Sequence, residues 1–158
     1  MKFDCYVNVC VYGMNAYQQA LLYETQWKNE LNNSSKCLLY KNFKEDISLE
    51  RQIINLPESL VYTMIKFRCS NHKLPIEQGR KFGIESENRI CNKCDLNSVG
   101  DEFHLIFECP AVSEQRDKFI PLNLRQVKSS YNLCKIIGNK SPKIILNLSK
   151  FLKETGVV

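Results

Sequence analysis

The apolar positions in the first third of the chain predict one short strand and one helix. In residues 3–12 apolar and polar positions alternate, which is typical of a strand with one buried side. Over residues 15–31 apolar side chains recur every three or four positions, and the Asn-Asn-Ser-Ser run at 32–35 ends this helical pattern. Residues 37–43 form a short apolar patch that fits either an extended segment or a loop.

The middle of the chain contains two more helical patterns, followed by an irregular segment. Apolar residues within 49–54 predict a short helix. Pro57 suits the first position of a helix, and the apolar stripe at 60–65 continues that helix. Residues 70–83 contain a proline and a glycine and show no clear period, so they predict irregular structure.

Proline, glycine and serine mark the predicted helices of the last third. Pro110 opens a helix that Pro121 stops. Residues 126–137 predict another helix, which ends at Gly138. The Ser141-Pro142 pair supplies an N-cap and a first-turn proline for the last helix. The apolar face of that helix consists of Ile145, Leu148 and Leu152.

The chain of 158 residues divides into three predicted parts. A strand-and-helix extension covers residues 1–44, a core covers 45–120, and a helical segment at 121–158 joins that core in one compact unit. No apolar run approaches the roughly 18 residues of a membrane span. The N-terminus lacks the pattern of a signal peptide, so we expect an intracellular protein whose eight cysteines stay reduced unless they hold a metal.

Residues 89–110, RICNKCDLNSVGDEFHLIFECP, carry the most specific chemistry of the chain. Cys91 and Cys94 form a C-x2-C pair, His104 follows after nine intervening residues, and Cys109 after four more. The C-x2-C turn brings two sulfurs to the same side of the chain. Three thiolates and one imidazole are a ligand set that suits tetrahedral Zn²⁺. The sequence therefore predicts a zinc site.

The predicted fold class is mainly α, with several short helices around a small CCHC zinc-binding hairpin-helix unit and at most one or two short strands. Protein ligands fill all four positions, so no water is activated and the zinc is expected to be structural. Structural zinc contributes an apparent ~10–16 kcal/mol, against a usual domain stability of ~5–15 kcal/mol. No Walker-type loop or other catalytic motif occurs, so we do not expect an enzyme.

Three other interpretations of the cysteine pattern stay open. A disulfide between Cys91 and Cys94 would need an oxidising compartment, and a redox-active C-x2-C would need a surrounding βαβ pattern. The third alternative is a set of buried cysteines beside an unrelated histidine. We favour zinc because four ligand residues rarely occur in this order within so short a window. The other cysteines are expected to be small buried hydrophobes, namely Cys5, Cys10, Cys37, Cys69 and Cys134.

Local patterns indicate how the ligands are presented. Residues 88–90 suit one arm of a short hairpin. Asp101 suits the N-cap of a short helix that presents His104. Cys109 follows five positions later, about 140° around an ideal helix, so we expect it in a distorted last turn.

The net charge of +5 is unevenly distributed. Residues 66–94 and 121–158 are strongly basic, whereas 95–120 is acidic. Basic surface on both sides of a metal site favours a polyanionic partner, although solvated helix faces give a similar composition. Arg89 and Lys93 are placed to offset the charge of −1 on a zinc ion with three thiolates. The predicted phosphate-binding residues are Arg68, Lys73, Arg80, Lys81, Arg89 and Lys93.

Few aromatic residues accompany this basic segment. Tyr62, Phe67 and Phe82 are the candidates for stacking on bases, and the first two fit the core of a helix. Cys69 and His72 form a C-x2-H pair, but two further ligands are missing nearby. We therefore expect His72 at the surface or as a capping residue.

Three segments of the chain resemble the zinc-binding region at the C-terminal end of reverse transcriptase polyproteins of non-LTR (LINE-type) retrotransposons. They are KFRCSNHKLPIEQGR (66–80), NRICNKC (88–94) and GDEFHLIFECP (100–110). In this resemblance the four zinc ligands predicted above fall on the family's ligand positions. It implies contact with RNA or DNA, and a reverse transcriptase in trans as a further partner. The chain lacks the polymerase and endonuclease domains, so the resemblance is to the tail alone.

Two hypotheses about function follow. The first is a zinc-dependent module that binds nucleic acid without sequence specificity, supported by the resemblance and by the basic residues beside the metal segment. The second is a structural or protein-interaction remnant that zinc folds but that makes no contact with nucleic acid. It is supported by the balanced charge of residues 1–56 and by the scarcity of aromatic residues among the basic ones.

Overall fold

The computed structural model describes residues 15–158 and confirms a mainly α fold. Its α-helices are α1 (Ala16–Asn33), α2 (Arg51–Ile54), α3 (Glu58–Arg68), α4 (Pro75–Lys81), α5 (Ser113–Phe119), α6 (Leu122–Arg125), α7 (Ser130–Ile137) and α8 (Pro142–Glu154). Short 3-10 turns lie at Tyr40–Asn42, Ser86–Asn88 and Pro110–Val112, and a π-helical turn lies at His104–Glu108. The strand predicted at 3–12 lies outside the described residues.

Helix α1 confirms the helical pattern of residues 15–31. The side chain of Asn15 accepts a hydrogen bond from the backbone N–H of Gln18 (2.9 Å), and the Gln18 side chain accepts one from the backbone N–H of Asn15 (3.1 Å). This capping box satisfies two N–H groups at the start of the helix. No residue of α1 is fully buried, although the half-buried Trp27 lines a cavity of about 360 Å³ together with Ile54 and Ile65.

The hydrophobic core forms where α3 packs against α8. Met64 and Phe67 of α3 are buried there, each contributing about 1.5–3 kcal/mol through burial of its side chain. The buried apolar face of α8 consists of Ile145, Leu148, Phe151 and Leu152. Helices α2 and α5 also contact α8. Residues of the segments 45–120 and 121–158 therefore share one core.

Helix α4 corrects the prediction of irregular structure over residues 70–83. Pro75 occupies the first turn of α4, where its missing N–H costs nothing. The side chain of Arg89 passes directly over Gly79, which lies within this helix. A Cβ atom at position 79 would lie 2.6 Å from Cγ of Arg89. The glycine in the segment predicted to be irregular therefore leaves room for the Arg89 side chain.

His72 is buried, which makes the prediction of a surface or capping residue wrong. Its Nε2 atom lies 2.9 Å from Oε1 of Glu102, which is also buried. The His72 ring packs on Phe67, with ring centroids 5.1 Å apart. The loop after α3 is therefore joined to the segment that carries the metal-ligand residues. A pair between residues 30 positions apart has no local signal in the sequence.

Candidate metal centre

The four predicted ligand residues come together in the structure. The ligand atoms of Cys91, Cys94, His104 and Cys109 all lie within 4.8 Å of one another. The Sγ atoms of Cys91 and Cys109 are 3.9 Å apart, and Sγ of Cys94 is 3.3 Å from Nε2 of His104. Tetrahedral Zn–S and Zn–N bonds imply separations of about 3.8 Å between two sulfurs and about 3.5 Å between sulfur and nitrogen. These two separations therefore fit tetrahedral coordination of one zinc ion.

A short hairpin presents the first two cysteines. Ile90 and Val99 form an antiparallel bridge, and the backbone N–H of Cys91 donates to the carbonyl of Ser98 (2.9 Å). The backbone N–H of Lys93 donates to Sγ of Cys91 (3.4 Å), so one sulfur lone pair is already oriented. The hairpin arm predicted at 88–90 thus overlaps the observed bridge.

Gly100 lets the start of α4 pack directly on this hairpin. A Cβ atom at position 100 would lie 2.7 Å from Cγ of Pro75 and 2.9 Å from Cα of Cys91. The carbonyl of Gly100 also accepts a hydrogen bond from the backbone N–H of Ile76 (3.2 Å). Since the Cys91 contact is with the backbone, which cannot rotate away, only glycine fits without a shift. Helix α4 and the metal-ligand hairpin therefore form one packed unit.

A π-helical turn presents His104 and Cys109. Oδ1 of Asp101 accepts a hydrogen bond from the backbone N–H of His104 (2.7 Å), which confirms the predicted cap. The backbone N–H of Cys109 donates to the carbonyl of His104 (2.7 Å), the five-residue spacing of a π turn. This widened turn is the distortion expected at Cys109, and it places the cysteine sulfur close to the His104 ring.

The environment of His104 favours coordination through Nε2. That atom faces Cys94, while Nδ1 lies 3.7 Å from a carboxylate oxygen of Glu108 and has no hydrogen-bond partner among residues 15–158. Histidine ligands of metals commonly direct their second nitrogen towards a carboxylate. A small closure of the Glu108 side chain would complete such a contact.

The two basic residues predicted to offset the thiolate charge bind backbone carbonyls. Arg89 and Lys93 were expected to offset the thiolates, but their side chains donate elsewhere, Arg89 to the carbonyls of Ile76 and Ile84 and Lys93 to that of Thr155. These charged groups are held against backbone carbonyls rather than against the sulfurs.

Arg116 is a positively charged side chain that binds the ligand turn itself. It is only 7% exposed, and its Nη2 donates to the carbonyls of Leu105 (3.1 Å) and Cys109. Burial lowers the pKa of this guanidinium, while the Cys109 sulfur raises it. Arg116 lies in the segment between Pro110 and Pro121 that was predicted as a helix, but its role was not recognised from the sequence. A basic residue on an apolar helical stripe was the available signal.

Burial raises the pKa of the Cys109 thiol to about 11, and the neighbouring Cys91 thiol adds to the effect. Without a positive ion, this sulfur therefore holds its proton at neutral pH. A metal ion binds the thiolate form, so its binding expels the proton. The four-residue cluster is thus a site at which metal and protons compete.

The six predicted phosphate-binding residues have different surroundings. Arg68 is 2% exposed, donates to the carbonyl of Ile137 (3.0 Å) and pairs with Glu50 (2.7 Å). It therefore forms part of the core and presents no charge to a phosphate, which corrects its assignment. Its partners lie 69 and 18 positions away in the sequence, so only the folded chain brings them together.

The other five basic residues reach the surface to different degrees. Arg80 and Arg89 are half-buried, and Arg80 pairs with Glu77 (2.8 Å). Lys73, Lys81 and Lys93 are exposed. These three lysines are the predicted residues most accessible to a polyanion.

The three aromatic residues considered for base stacking differ in their exposure. Phe67 is buried in the core as predicted. Tyr62 was expected in the core but is 61% exposed. Phe82 is 79% exposed at the end of α4, so two of the three rings are accessible at the surface.

The remaining cysteines are less buried than predicted where the structure describes them. Cys37, Cys69 and Cys134 are half-buried free thiols. Cys5 and Cys10 lie outside the described residues. None of the three described thiols joins the metal-ligand cluster.

Comparison of the chain with protein-family models, curated proteins and solved structures finds no match. The resemblance to retrotransposon tails therefore rests on the segments quoted above. Within residues 15–158, no helix combines the length and apolar character needed to cross a membrane.

Proposed function

We propose that this chain is a non-catalytic nucleic-acid-binding module held together by one structural zinc ion. The observation that carries the proposal is the convergence of three sulfurs and one imidazole nitrogen within 4.8 Å of one another. Soft thiolates with an imidazole favour zinc among the common cellular cations. With four protein ligands, the ion would stabilise the hairpin and the π turn rather than activate water.

Elemental analysis of the purified chain tests the metal. We expect one zinc per chain, lost in Cys94→Ser and in His104→Ala together with cooperative folding. Cys134→Ser is the matched control, because Cys134 is a half-buried thiol outside the cluster. A fully folded chain without metal, or equal zinc loss in the control, would overturn the assignment.

Nucleic-acid binding is supported by the accessible lysines and by the resemblance to retrotransposon tails. Lys93 lies in the C-x2-C turn of the metal-ligand hairpin and Lys73 in the loop before α4, and both residues are exposed. The phosphates of RNA or DNA can bind exposed lysines without any base-specific contact. The resemblance points to RNA or DNA as the partner, with a reverse transcriptase acting in trans.

A salt titration with labelled RNA and DNA tests this part of the proposal. Three phosphate contacts predict a slope of about −2 to −3 for log affinity against log salt concentration. The triple variant of Lys73, Lys81 and Lys93 to glutamine should lose most of that slope. The control replaces three other exposed lysines by glutamine, namely Lys140, Lys143 and Lys150. Salt-independent binding, or none below about 10⁻⁴ M, would refute the proposal.

A protein-interaction module is the second candidate, favoured by the surface of α1. This helix buries none of its residues completely, and it exposes Tyr17 and Leu21, which share one face at a spacing of four residues. Apolar side chains grouped on a helix surface are typical of interaction sites. A chain that folds with zinc but binds neither RNA nor DNA in the salt titration would favour this candidate.

A further inference from the structure

Two adjoining cavities form a groove beside the metal-ligand hairpin, with volumes of about 280 and 340 Å³. They share Lys73, Pro75 and Asn92 in their linings. Phe82 lines the first cavity and Lys93 the second. We refer to this continuous depression as the Phe82 groove.

Phe82 gives the groove an accessible aromatic face. The residue ends α4, and Gly83 follows it with a positive φ of 67°, which turns the chain away from the helix axis. At 79% exposure, Phe82 is more exposed than any other large hydrophobic side chain in residues 15–158. Ile84 and Ile90 are also exposed in the same lining. Such a face offers a platform on which a planar ring can stack.

The charge of the groove lining is entirely positive. Lys73 and Lys93 each donate one hydrogen bond to a backbone oxygen near residue 158, that of Val158 (3.1 Å) and that of Thr155 (3.0 Å). Each ammonium has three donors, so two on each lysine are left for a ligand. Arg89 adds a third positive charge, and neither lining includes a carboxylate.

Two exposed carboxylates lie near the groove, and that of Glu87 attracts Arg89 of the lining. Glu85 and Glu87 are exposed on the turn before the hairpin, outside both linings. The side chain of Glu87 accepts a hydrogen bond from the hydroxyl of Ser86 (3.1 Å).

Polar groups at the edge of the groove are available as well. The side-chain amides of Asn88 and Asn92 make no hydrogen bond to any residue in 15–158, and both residues are exposed. An amide offers two donors and one acceptor, which can meet the edge of a base or a sugar hydroxyl. Aromatic, cationic and amide groups thus occur together in one depression.

We propose that the Phe82 groove binds a single-stranded segment of RNA or DNA, with a base stacked on Phe82 and phosphates on Lys73 and Lys93. This inference rests on the proposed nucleic-acid binding and specifies its ligand. A base within a duplex is covered on both faces by its neighbours, whereas an unpaired base can stack on an aromatic side chain. An exposed ring beside ammonium groups therefore favours a single strand over a duplex.

Fluorescence anisotropy with the zinc-loaded full chain tests the groove. The probes are labelled RNA and DNA single strands of one mixed sequence, about 12 nucleotides long, and the matching DNA duplex. We expect the single strands to bind more tightly than the duplex. Phe82→Ala should weaken single-strand binding about 5- to 150-fold with the zinc content unchanged. Tyr131→Ala is the matched control, because Tyr131 is also an exposed ring beside a lysine, yet lies outside the groove.

A fluorescence reporter gives a second readout that does not depend on affinity. Trp27 is the only tryptophan of the chain, so Phe82→Trp in a Trp27→Phe background places a single indole in the groove. Stacking of a base should quench its emission when single strands are added, and the duplex should quench it less. Unchanged emission at saturating single strand would overturn the stacking contact.

The outcomes distinguish this inference from the proposed function. If the wild-type chain binds none of the probes, both the proposed function and the groove are refuted. If it binds single strands and duplex equally, and Phe82→Ala behaves like Tyr131→Ala, nucleic-acid binding stands and the groove is refuted. A selective loss with Phe82→Ala supports both.

Discussion

Replacing Arg116 by methionine is expected to weaken both the fold and the binding of zinc. Methionine retains much of the side-chain length but removes the guanidinium donors. The carbonyls of Leu105 and Cys109 would then lose the donor that Arg116 supplies. Both of those residues are buried, so water cannot readily replace the lost hydrogen bonds.

The magnitude follows from the two unpaired carbonyls. Each buried acceptor without a partner costs about 1–3 kcal/mol, so the free energy of unfolding of the zinc-loaded protein should fall by about 2–6 kcal/mol. The same carbonyls belong to the turn that carries His104 and Cys109. Loss of a group that supports metal ligands commonly reduces metal affinity about 10- to 100-fold.

Two measurements check this prediction. Urea denaturation of the zinc-loaded protein gives the free energy of unfolding, and competition with a colorimetric chelator gives the zinc affinity. Arg125→Met is the control, because Arg125 also donates to a backbone carbonyl, that of Ile120 (3.0 Å), but does not contact the ligand turn. Equal zinc affinity in Arg116→Met and Arg125→Met would refute the proposed support of the metal site.

Three further predictions concern packing, protons and surface charge. Gly100→Ala should destabilise the chain by about 1–3 kcal/mol in urea denaturation, because its Cβ would lie 2.9 Å from the backbone of Cys91; unchanged stability would contradict this packing. Zinc affinity, measured by chelator competition, should fall by about tenfold per pH unit of acidification for each proton that zinc expels. The reason is that the Cys109 thiol, whose pKa is raised to about 11, is protonated when no metal is bound. An affinity that does not change with pH would exclude thiolate ligands. Glu154→Gln removes an exposed ion pair with Lys118 (3.0 Å) and should change stability by less than about 1 kcal/mol, whereas a larger loss in thermal unfolding would show a stronger pair.

Local spacing was sufficient to predict the ligand quartet and most helices. The C-x2-C turn depends on neighbouring residues only, and the apolar stripe of α8 repeats with the period of a helix. Asp101 could be recognised as a cap because its hydrogen bond reaches only three residues along the chain. These features depend only on residues close together in the chain, so they can be predicted from the sequence alone.

The surroundings of the site depended on residues far apart in the sequence. Arg68 is buried because Ile137 and Glu50 meet it in the folded chain, and His72 is buried because Glu102 does. The sequence near a charged residue does not show whether its side chain will face water or bind a carbonyl from a distant part of the chain.

The sequence by itself thus determined which residues can hold a metal, since ligand chemistry and turn geometry are local. Only the tertiary structure decided which charges remain at the surface and where Phe82 lies relative to Lys73 and Lys93. The physical reason is that burial and charge pairing depend on the packing of elements distant in the chain.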